Sequence, residues 1–88
     1  MNIAIRPATV ADVATIARFN ALMAVETEHI TLDQDRLRNG VEALLRDSKK
    51  GFYVLAENDN AIVGQTMITY EWSDWRNGVF WWIQSVYV

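Results

Sequence analysis

The stretch Val79–Val88, which reads Val-Phe-Trp-Trp-Ile-Gln-Ser-Val-Tyr-Val, decides the fold. It is apolar, β-branched or aromatic almost throughout and contains neither glycine nor proline. A strand with one solvent-exposed face would alternate apolar and polar residues, so this run predicts a strand that is buried on both faces inside a sheet. Because the sequence stops at Val88, we expect the chain to be one part of a larger sheet.

The residues before this stretch predict a three-stranded antiparallel meander. Phe52–Glu57 and Ala61–Trp72 have the composition of strands, and a tight turn at 58–60 joins them. A second turn, Ser73–Gly78, ends in Asn-Gly, which favours positive φ, and leads into the last strand. Gly64 inside the middle strand predicts a bulge or a close approach of two backbones.

The N-terminal segment predicts one strand followed by one helix. Asn2–Arg6 alternates in the manner of a strand, and Pro7 closes it because proline cannot donate a ladder hydrogen bond. Thr9 and Asp12 have the spacing of a capping box, with Asp in place of the usual Glu. An apolar stripe at helical spacing then predicts a helix over residues 10–25.

A second helix is predicted over residues 34–47. Asp33 can cap its first turn, apolar residues recur at helical spacing, and Gly51 can take the left-handed conformation that ends a helix. The element order β-α-α-β-β-β predicts an α+β fold in which the helices pack on a mainly antiparallel sheet.

Composition limits the classes of function. The chain has 88 residues, which is room for one domain, and its formal net charge is −3 with a pI near 4.9. An acidic surface argues against nucleic acid and anionic membranes as partners. The absence of cysteine excludes disulfides and thiolate chemistry, and His29 alone predicts no metal site. No apolar run reaches the length of a membrane span or a signal peptide, so we expect a cytoplasmic protein.

Several short motifs occur in a recognisable order. They are Ile5-Arg6-Pro7-Ala8-Thr9 with Asp12, Tyr53-Val-Leu-Ala-Glu57 after Gly51, Ile62-Val-Gly64-Gln, and Gln84-Ser-Val-Tyr-Val88. Together with the element order, they resemble the N-terminal half of the GNAT N-acetyltransferases, and the resemblance covers essentially residues 1–88. It implies that the family's C-terminal, coenzyme-binding half, with its glycine-rich phosphate loop, is absent from this sequence.

The resemblance also implies a reaction and a coenzyme. The family transfers an acetyl group from acetyl-CoA to an amine, and backbone groups of the strand that corresponds to Val86, Tyr87 and Val88 hold the pantetheine arm. Gln84 stands where many relatives carry glutamate. An amide cannot take a proton at neutral pH, so we expect Gln84 only to orient the amine or a water molecule.

The sequence offers more than one candidate for the general base and more than one interpretation of the acceptor-site residues. Glu26, Glu28 and Glu71 are candidate bases, and the amine can also lose its proton to solvent. The family's acceptor loop matches the polar segment that holds Glu26 and Glu28, which we expect to attract a cationic amine. Trp72 and Trp75 are predicted to contribute an aromatic wall. Solvated surface and cross-strand packing are the structural alternatives for these side chains.

Three functional hypotheses follow. In the first, the chain is part of an acetyltransferase for a small-molecule or peptide amine and is inactive alone. In the second, it is a non-catalytic interaction module, a homo-oligomer that pairs through its last strand. In the third, the tryptophan cluster binds a sugar or an amine.

Overall fold

A computed structural model describes residues 2–88. The strands are β1 (Ile3–Pro7), β2 (Gly51–Asn58), β3 (Ala61–Ser73) and β4 (Gly78–Tyr87), and the α-helices are α1 (Val13–Glu28) and α2 (Gln34–Arg46). A short 3₁₀ turn, Val10–Asp12, leads into α1. No helix in this part of the chain combines the length and apolarity needed to cross a bilayer.

The strands form one antiparallel sheet in the order β1-β2-β3-β4. The β2–β3 turn has φ of 51° at Asp59 and 69° at Asn60, the paired positive values that match the twist of a tight hairpin. Asn77 has φ of 49° in the next turn. The structure confirms the predicted α+β fold, with a four-stranded antiparallel sheet and helices α1 and α2.

The first helix differs from its predicted boundaries. It begins at Val13, after the 3₁₀ turn, and continues to Glu28, where His29 ends it with φ of 56°. Glu26 and Glu28 therefore lie in the last turn of α1, and the expectation that they belong to a loop is wrong. Apolar and polar residues alternate too irregularly at the end of α1 for the sequence to show where the helix stops.

The core lies between the two helices and one face of the sheet. Its buried side chains are Ile16, Ala17, Val41, Leu44, Tyr53 and Leu55. Ile16 of α1 and Leu55 of β2 are both 0% exposed and lie at the centre of this cluster. The amphipathic spacing of α1 and α2 accounts for this packing, because each helix presents one apolar stripe to the sheet.

A charged cluster fastens β1 to the start of α1 and to β2. The Arg6 guanidinium donates to both carboxylate oxygens of Asp12, at 2.8 and 2.9 Å, and to Glu57. The Thr9 amide also donates to Asp12, at 2.8 Å, as the predicted capping box requires. The hydrogen bond from Arg6 holds the pKa of the Asp12 carboxyl below its usual value.

Glycine 64 permits a close approach between β3 and β4. A Cβ at this position would lie 3.3 Å from the Tyr87 carbonyl oxygen. The register also shifts beside it, because Ala56 pairs with Gly64 while Glu57 pairs with Ile62, which leaves Val63 as an extra residue. The predicted bulge and close approach are both confirmed.

The last strand is not buried within this chain. Strand β4 lies at the border of the sheet and pairs only with β3. Trp81 is 66% exposed and Ile83 is 69% exposed, so the expectation of burial on both faces is wrong for these 88 residues. The physical reason is that both helices pack on one face of the sheet, and no described residue covers the other face of β4.

Candidate functional site

A β-bulge in β4 shapes the candidate site. Met67 of β3 pairs with Ser85, and the next residue, Ile68, pairs with Ile83, so Gln84 is the extra residue. A bulge bends the strand and redirects the side chains around it. Both Gln84 and Ser85 consequently line the same cavity, which strict alternation along a strand would not allow.

The orientation of Gln84 is fixed by a neighbouring strand. Its Nε2 donates to Thr69 Oγ1 at 2.7 Å. This bond uses one of the two N–H donors of the amide and turns the side chain so that Oε1, a hydrogen-bond acceptor, remains free. Gln84 is therefore suited to receive an N–H or O–H group from a ligand, as the orienting role predicted from the sequence requires.

The cavity beside this bulge, named here the β4 cavity, has a volume of about 400 Å³. Its lining residues are Asn20, Met23, Ala24, Thr27, Glu28, Leu32, Leu37, Gln84 and Ser85. They come from α1, the loop after it, α2 and β4. Glu28 is the one charged residue among the described residues of this lining. The structure therefore brings together Glu28 and Gln84, which the sequence predicted as site residues.

Glu26 lies in the same last turn of α1 as Glu28 but bonds to Tyr87. The Tyr87 hydroxyl donates to Glu26 Oε1 at 3.2 Å, and the Tyr87 ring packs on Phe19 with centroids 5.5 Å apart. Desolvation and the hydrogen bond to Glu26 raise the pKa of Tyr87. This contact ties the end of β4 to α1, and Glu26 does not line the β4 cavity.

Glu71, a third candidate base, lies outside the cavity as well. Its Oε2 accepts a hydrogen bond from Trp82 Nε1 at 3.1 Å, across the β3–β4 pair. Of the three candidate carboxylates, Glu28 is therefore the one that faces the β4 cavity.

The two tryptophans predicted as an aromatic wall lie elsewhere. Trp72 lines a shallow depression of about 500 Å³ with Tyr70, Val79 and Trp81, on the sheet face away from the helices. Trp75 is 95% exposed in the β3–β4 turn. The structure thus brings neither tryptophan to Glu28 and Gln84.

A series of side-chain hydrogen bonds holds Asn20, which lines the β4 cavity. Gln65 Nε2 donates to Asn20 Oδ1 at 2.9 Å, and Asn20 Nδ2 donates to the Tyr53 hydroxyl at 3.0 Å. Burial raises the pKa of Tyr53, although the hydrogen bond from Asn20 opposes the shift. Gln65 is only 4% exposed, and its Oε1 has no hydrogen-bond partner among residues 2–88. No sequence pattern indicates these hydrogen bonds, because Asn20 sits in an otherwise apolar helical stripe.

The backbone of Val86 and Tyr87 lies on an open border. Val86 pairs with Thr66 and Tyr87 pairs with Gln65, while no described strand pairs with the outer side of β4. Unpaired backbone groups on such a border can bind an extended molecule as an added strand would. Val88, which follows β4, is 95% exposed.

The described residues do not form a metal centre. No three His, Cys, Asp or Glu side chains among residues 2–88 come together where they could hold an ion.

Comparisons with known proteins identify the fold. No protein-family model and no curated protein matches the chain. The solved structure of a possible acetyltransferase from Clostridium difficile 630 is 55% identical, with a TM-score of 0.95, over 100% of this chain and 58% of that one. A GNAT family acetyltransferase from Staphylococcus aureus is 16% identical, with a TM-score of 0.72, over 100% of this chain and 63% of that one.

A further structure shows the same fold together with the coenzyme. It is a predicted acetyltransferase from Clostridium acetobutylicum, solved with acetyl-CoA, which is 17% identical with a TM-score of 0.79 over 99% of this chain and 60% of that one. The chain spans less than two thirds of the length of each of these proteins. The resemblance found in the sequence is confirmed, and the chain is a half-domain of the GNAT acetyltransferase fold.

Proposed function

We propose that residues 1–88 form the N-terminal, acceptor-binding part of a GNAT-type N-acetyltransferase, which moves an acetyl group from acetyl-CoA to the nitrogen of an amine. The observation that carries this proposal is the 55% identity, over the whole chain, to a possible acetyltransferase. The β4 cavity adds support, because its one described charge is negative and an amine is cationic at neutral pH.

In this proposal the amine binds in the β4 cavity. The Glu28 carboxylate attracts the ammonium group and favours its entry over neutral molecules. Gln84 Oε1 accepts one N–H of the bound amine, because the amide oxygen is the acceptor of this side chain and Thr69 fixes its orientation. Met23, Leu32 and other apolar residues of the lining exclude water around the carbon skeleton of the acceptor.

Acetyl-CoA fits this chain only in part. The unpaired outer border at Val86, Tyr87 and Val88 suits the amide groups of the pantetheine arm. The glycines of the chain stand at positions 40, 51, 64 and 78, too far apart to form a glycine-rich phosphate loop. We therefore assign the arm to β4 and the phosphates to a segment outside residues 1–88.

The chain's own groups hold and prepare the amine. When bound, acetyl-CoA supplies the acetyl group as a thioester. The ammonium group first loses one proton, which frees the nitrogen lone pair. A carbon–nitrogen bond then forms while the carbon–sulfur bond breaks, and the second proton that leaves the nitrogen neutralises the departing thiolate. We assign to Glu28 the first of these protons, because it is the candidate carboxylate that lines the β4 cavity, with solvent as the alternative. Gln84 directs the nitrogen lone pair by holding an N–H, a contribution of alignment and not of proton transfer.

A fusion protein tests the proposal. The 88-residue chain is joined to the part of the C. difficile protein that it does not match, and thiol release from acetyl-CoA is measured with a panel of amines. We expect release by the fusion and none by the 88-residue chain alone. In the fusion, Glu28→Gln should raise KM for cationic amines, whereas Glu42→Gln, a change at an exposed position of α2, should not.

Two experimental results would contradict this proposal. A fusion that is folded by circular dichroism and binds acetyl-CoA, but releases no thiol with any amine, would contradict the acetyltransferase proposal. Turnover by the 88-residue chain alone would contradict the assignment of the phosphates to another segment.

A second candidate function rests on the free border of β4. Ile83 is 69% exposed and Val86 is 60% exposed on a strand that has one neighbour. Exposed apolar border strands pair with other strands, so the chain can act as an interaction module that forms a homo-oligomer through β4.

A further inference from the structure

A second cavity adjoins the β4 cavity between α1 and α2. This α2 cavity has a volume of about 280 Å³ and is lined by Asn20, Arg36, Leu37, Gly40, Val41, Leu44, Tyr53 and Met67. Asn20 and Leu37 line both cavities, so the two lie on either side of these side chains. Their volumes, about 280 and 400 Å³, together suit a small organic ligand and not merely a single ammonium group.

The two cavities carry opposite charges. Arg36 is the one charged residue in the described lining of the α2 cavity, as Glu28 is in that of the β4 cavity. Neither side chain forms an ion pair or a hydrogen bond with another residue of the described range 2–88. Asp33 and Asp35 precede Arg36 in the chain, but neither lines the cavity, and the Asp33 carboxylate is engaged by the Arg36 amide at 2.9 Å.

The surface between the two charges is apolar with one fixed polar group. Leu37, Val41, Leu44 and Met67 line the α2 cavity, and the Asn20 amide is held on both of its ends by Gln65 and Tyr53. A ligand that spans the two cavities would meet a carboxylate at one end, hydrocarbon in the middle and a guanidinium at the other end.

We propose that the acetyl acceptor is an amino acid-like molecule, with an amine that binds beside Glu28 and a carboxylate that binds beside Arg36, joined by an aliphatic spacer. This inference rests on the proposed function and specifies its acceptor class. Arg36 is then a specificity-determining residue. Guanidinium groups suit this role because their planar fork matches the two oxygens of a carboxylate.

Calorimetry on the 88-residue chain tests the inference. The probes are ω-amino acids of increasing length and n-alkylamines of the same lengths, at low ionic strength. We expect the best ω-amino acid to bind about 2- to 5-fold more tightly than the matching alkylamine, which is the range for an exposed ion pair. Arg36→Gln should remove this difference and leave the affinity for the alkylamine unchanged.

The control variants separate the inference from the proposed function. Arg38→Gln removes an arginine from the same helix that does not line the α2 cavity, and it should keep the preference for the ω-amino acid. Equal affinity of the unmodified chain for both probe series, or a preference that survives Arg36→Gln, overturns the inference and leaves the amine site intact. Absence of any amine binding, or amine binding that Glu28→Gln does not weaken, overturns the amine site itself and the inference with it.

Discussion

Asp12 is the residue on which the junction of β1, β2 and α1 depends. It is 9% exposed and accepts hydrogen bonds from Arg6 and from the Thr9 amide. We expect Asp12→Asn to lower the free energy of unfolding by about 2 kcal/mol, as for the loss of buried bonds to a charged group. Urea denaturation measures this change. Glu42→Gln, which breaks an exposed pair with Arg46, is the control and should change stability by about 0.5 kcal/mol or less.

The same carboxylate makes stability depend on pH. The hydrogen bond from Arg6 lowers the pKa of Asp12 in the folded protein below the ordinary 3.8. A lowered pKa stabilises the fold above the pKa of the unfolded chain, and this contribution is lost as the pH falls through the folded-state value. The stability difference between the parent and Asp12→Asn should be largest near neutral pH and should shrink below about pH 4. A difference that is constant down to acid pH would contradict the ionised pair.

At the scale of residues, local contacts could be predicted and distant ones could not. The Thr9–Asp12 spacing indicated its capping box, because both partners lie within one helical turn. Arg6 bonds to Glu57 across 51 positions, and Gln65 bonds to Asn20 across 45. No sequence pattern links residues so far apart before the sheet register is known.

At the scale of elements, two glycines should respond in opposite ways to alanine. Gly51, at the start of β2, has φ of 149°, and a Cβ there would lie 2.1 Å from the Ile68 carbonyl oxygen. Gly51→Ala should therefore destabilise the fold by about 2–3 kcal/mol. Gly40, inside α2, has open space where its Cβ would be, so Gly40→Ala should stabilise by about 0.5–1 kcal/mol. Thermal unfolding of both variants measures the pair, and a loss of stability in Gly40→Ala would contradict the open space beside α2.

Strand β4 shows where prediction from an element's own sequence ends. Its β-branched and aromatic residues indicated a strand, and the structure contains one. The bulge at Gln84 had no sequence signal, since neither glycine nor proline marks it and the register shift depends on β3. The exposure of β4 could not be inferred either, because the burial of a strand depends on what covers the sheet and not on the sequence of that strand alone.

At the scale of the whole molecule, the sheet face away from the helices is apolar and open. Ile5 is 66% exposed, Ile83 69% and Trp81 66%, and these side chains belong to β1 and β4. We expect the chain to associate at high concentration, because contiguous exposed apolar surface favours contact between molecules. Light scattering measures the association, and Ile83→Lys should reduce it by placing a charge on the border strand.

The matched control for this association lies in the β3–β4 turn. Trp75→Lys removes an apolar side chain that is 95% exposed but lies outside β4, and it should leave the association unchanged. A parent chain that stays monomeric at high concentration would contradict the interaction-module proposal. Equal effects of Ile83→Lys and Trp75→Lys would show that nonspecific hydrophobic contact, and not pairing through β4, causes the association.

The site as a whole could be predicted in part. The resemblance indicated Glu28 and Gln84, and the fold brings both to the β4 cavity. It also indicated Glu26, which instead bonds to Tyr87, and Trp72, which lies on the other sheet face. Arg36 had no signal at all, because its relation to Glu28 arises from the packing of α1 against α2 and not from any motif.

The placement of the tryptophans has a practical consequence for spectroscopy. All four stand between Trp72 and Trp82, on β3, β4 and the turn that joins them. Intrinsic fluorescence therefore reports on this hairpin alone, and its emission maximum shifts when the hairpin is covered. The helices contain no tryptophan, so their unfolding has to be followed by far-ultraviolet circular dichroism. If the two signals change at different temperatures, the hairpin and the helices unfold in separate transitions.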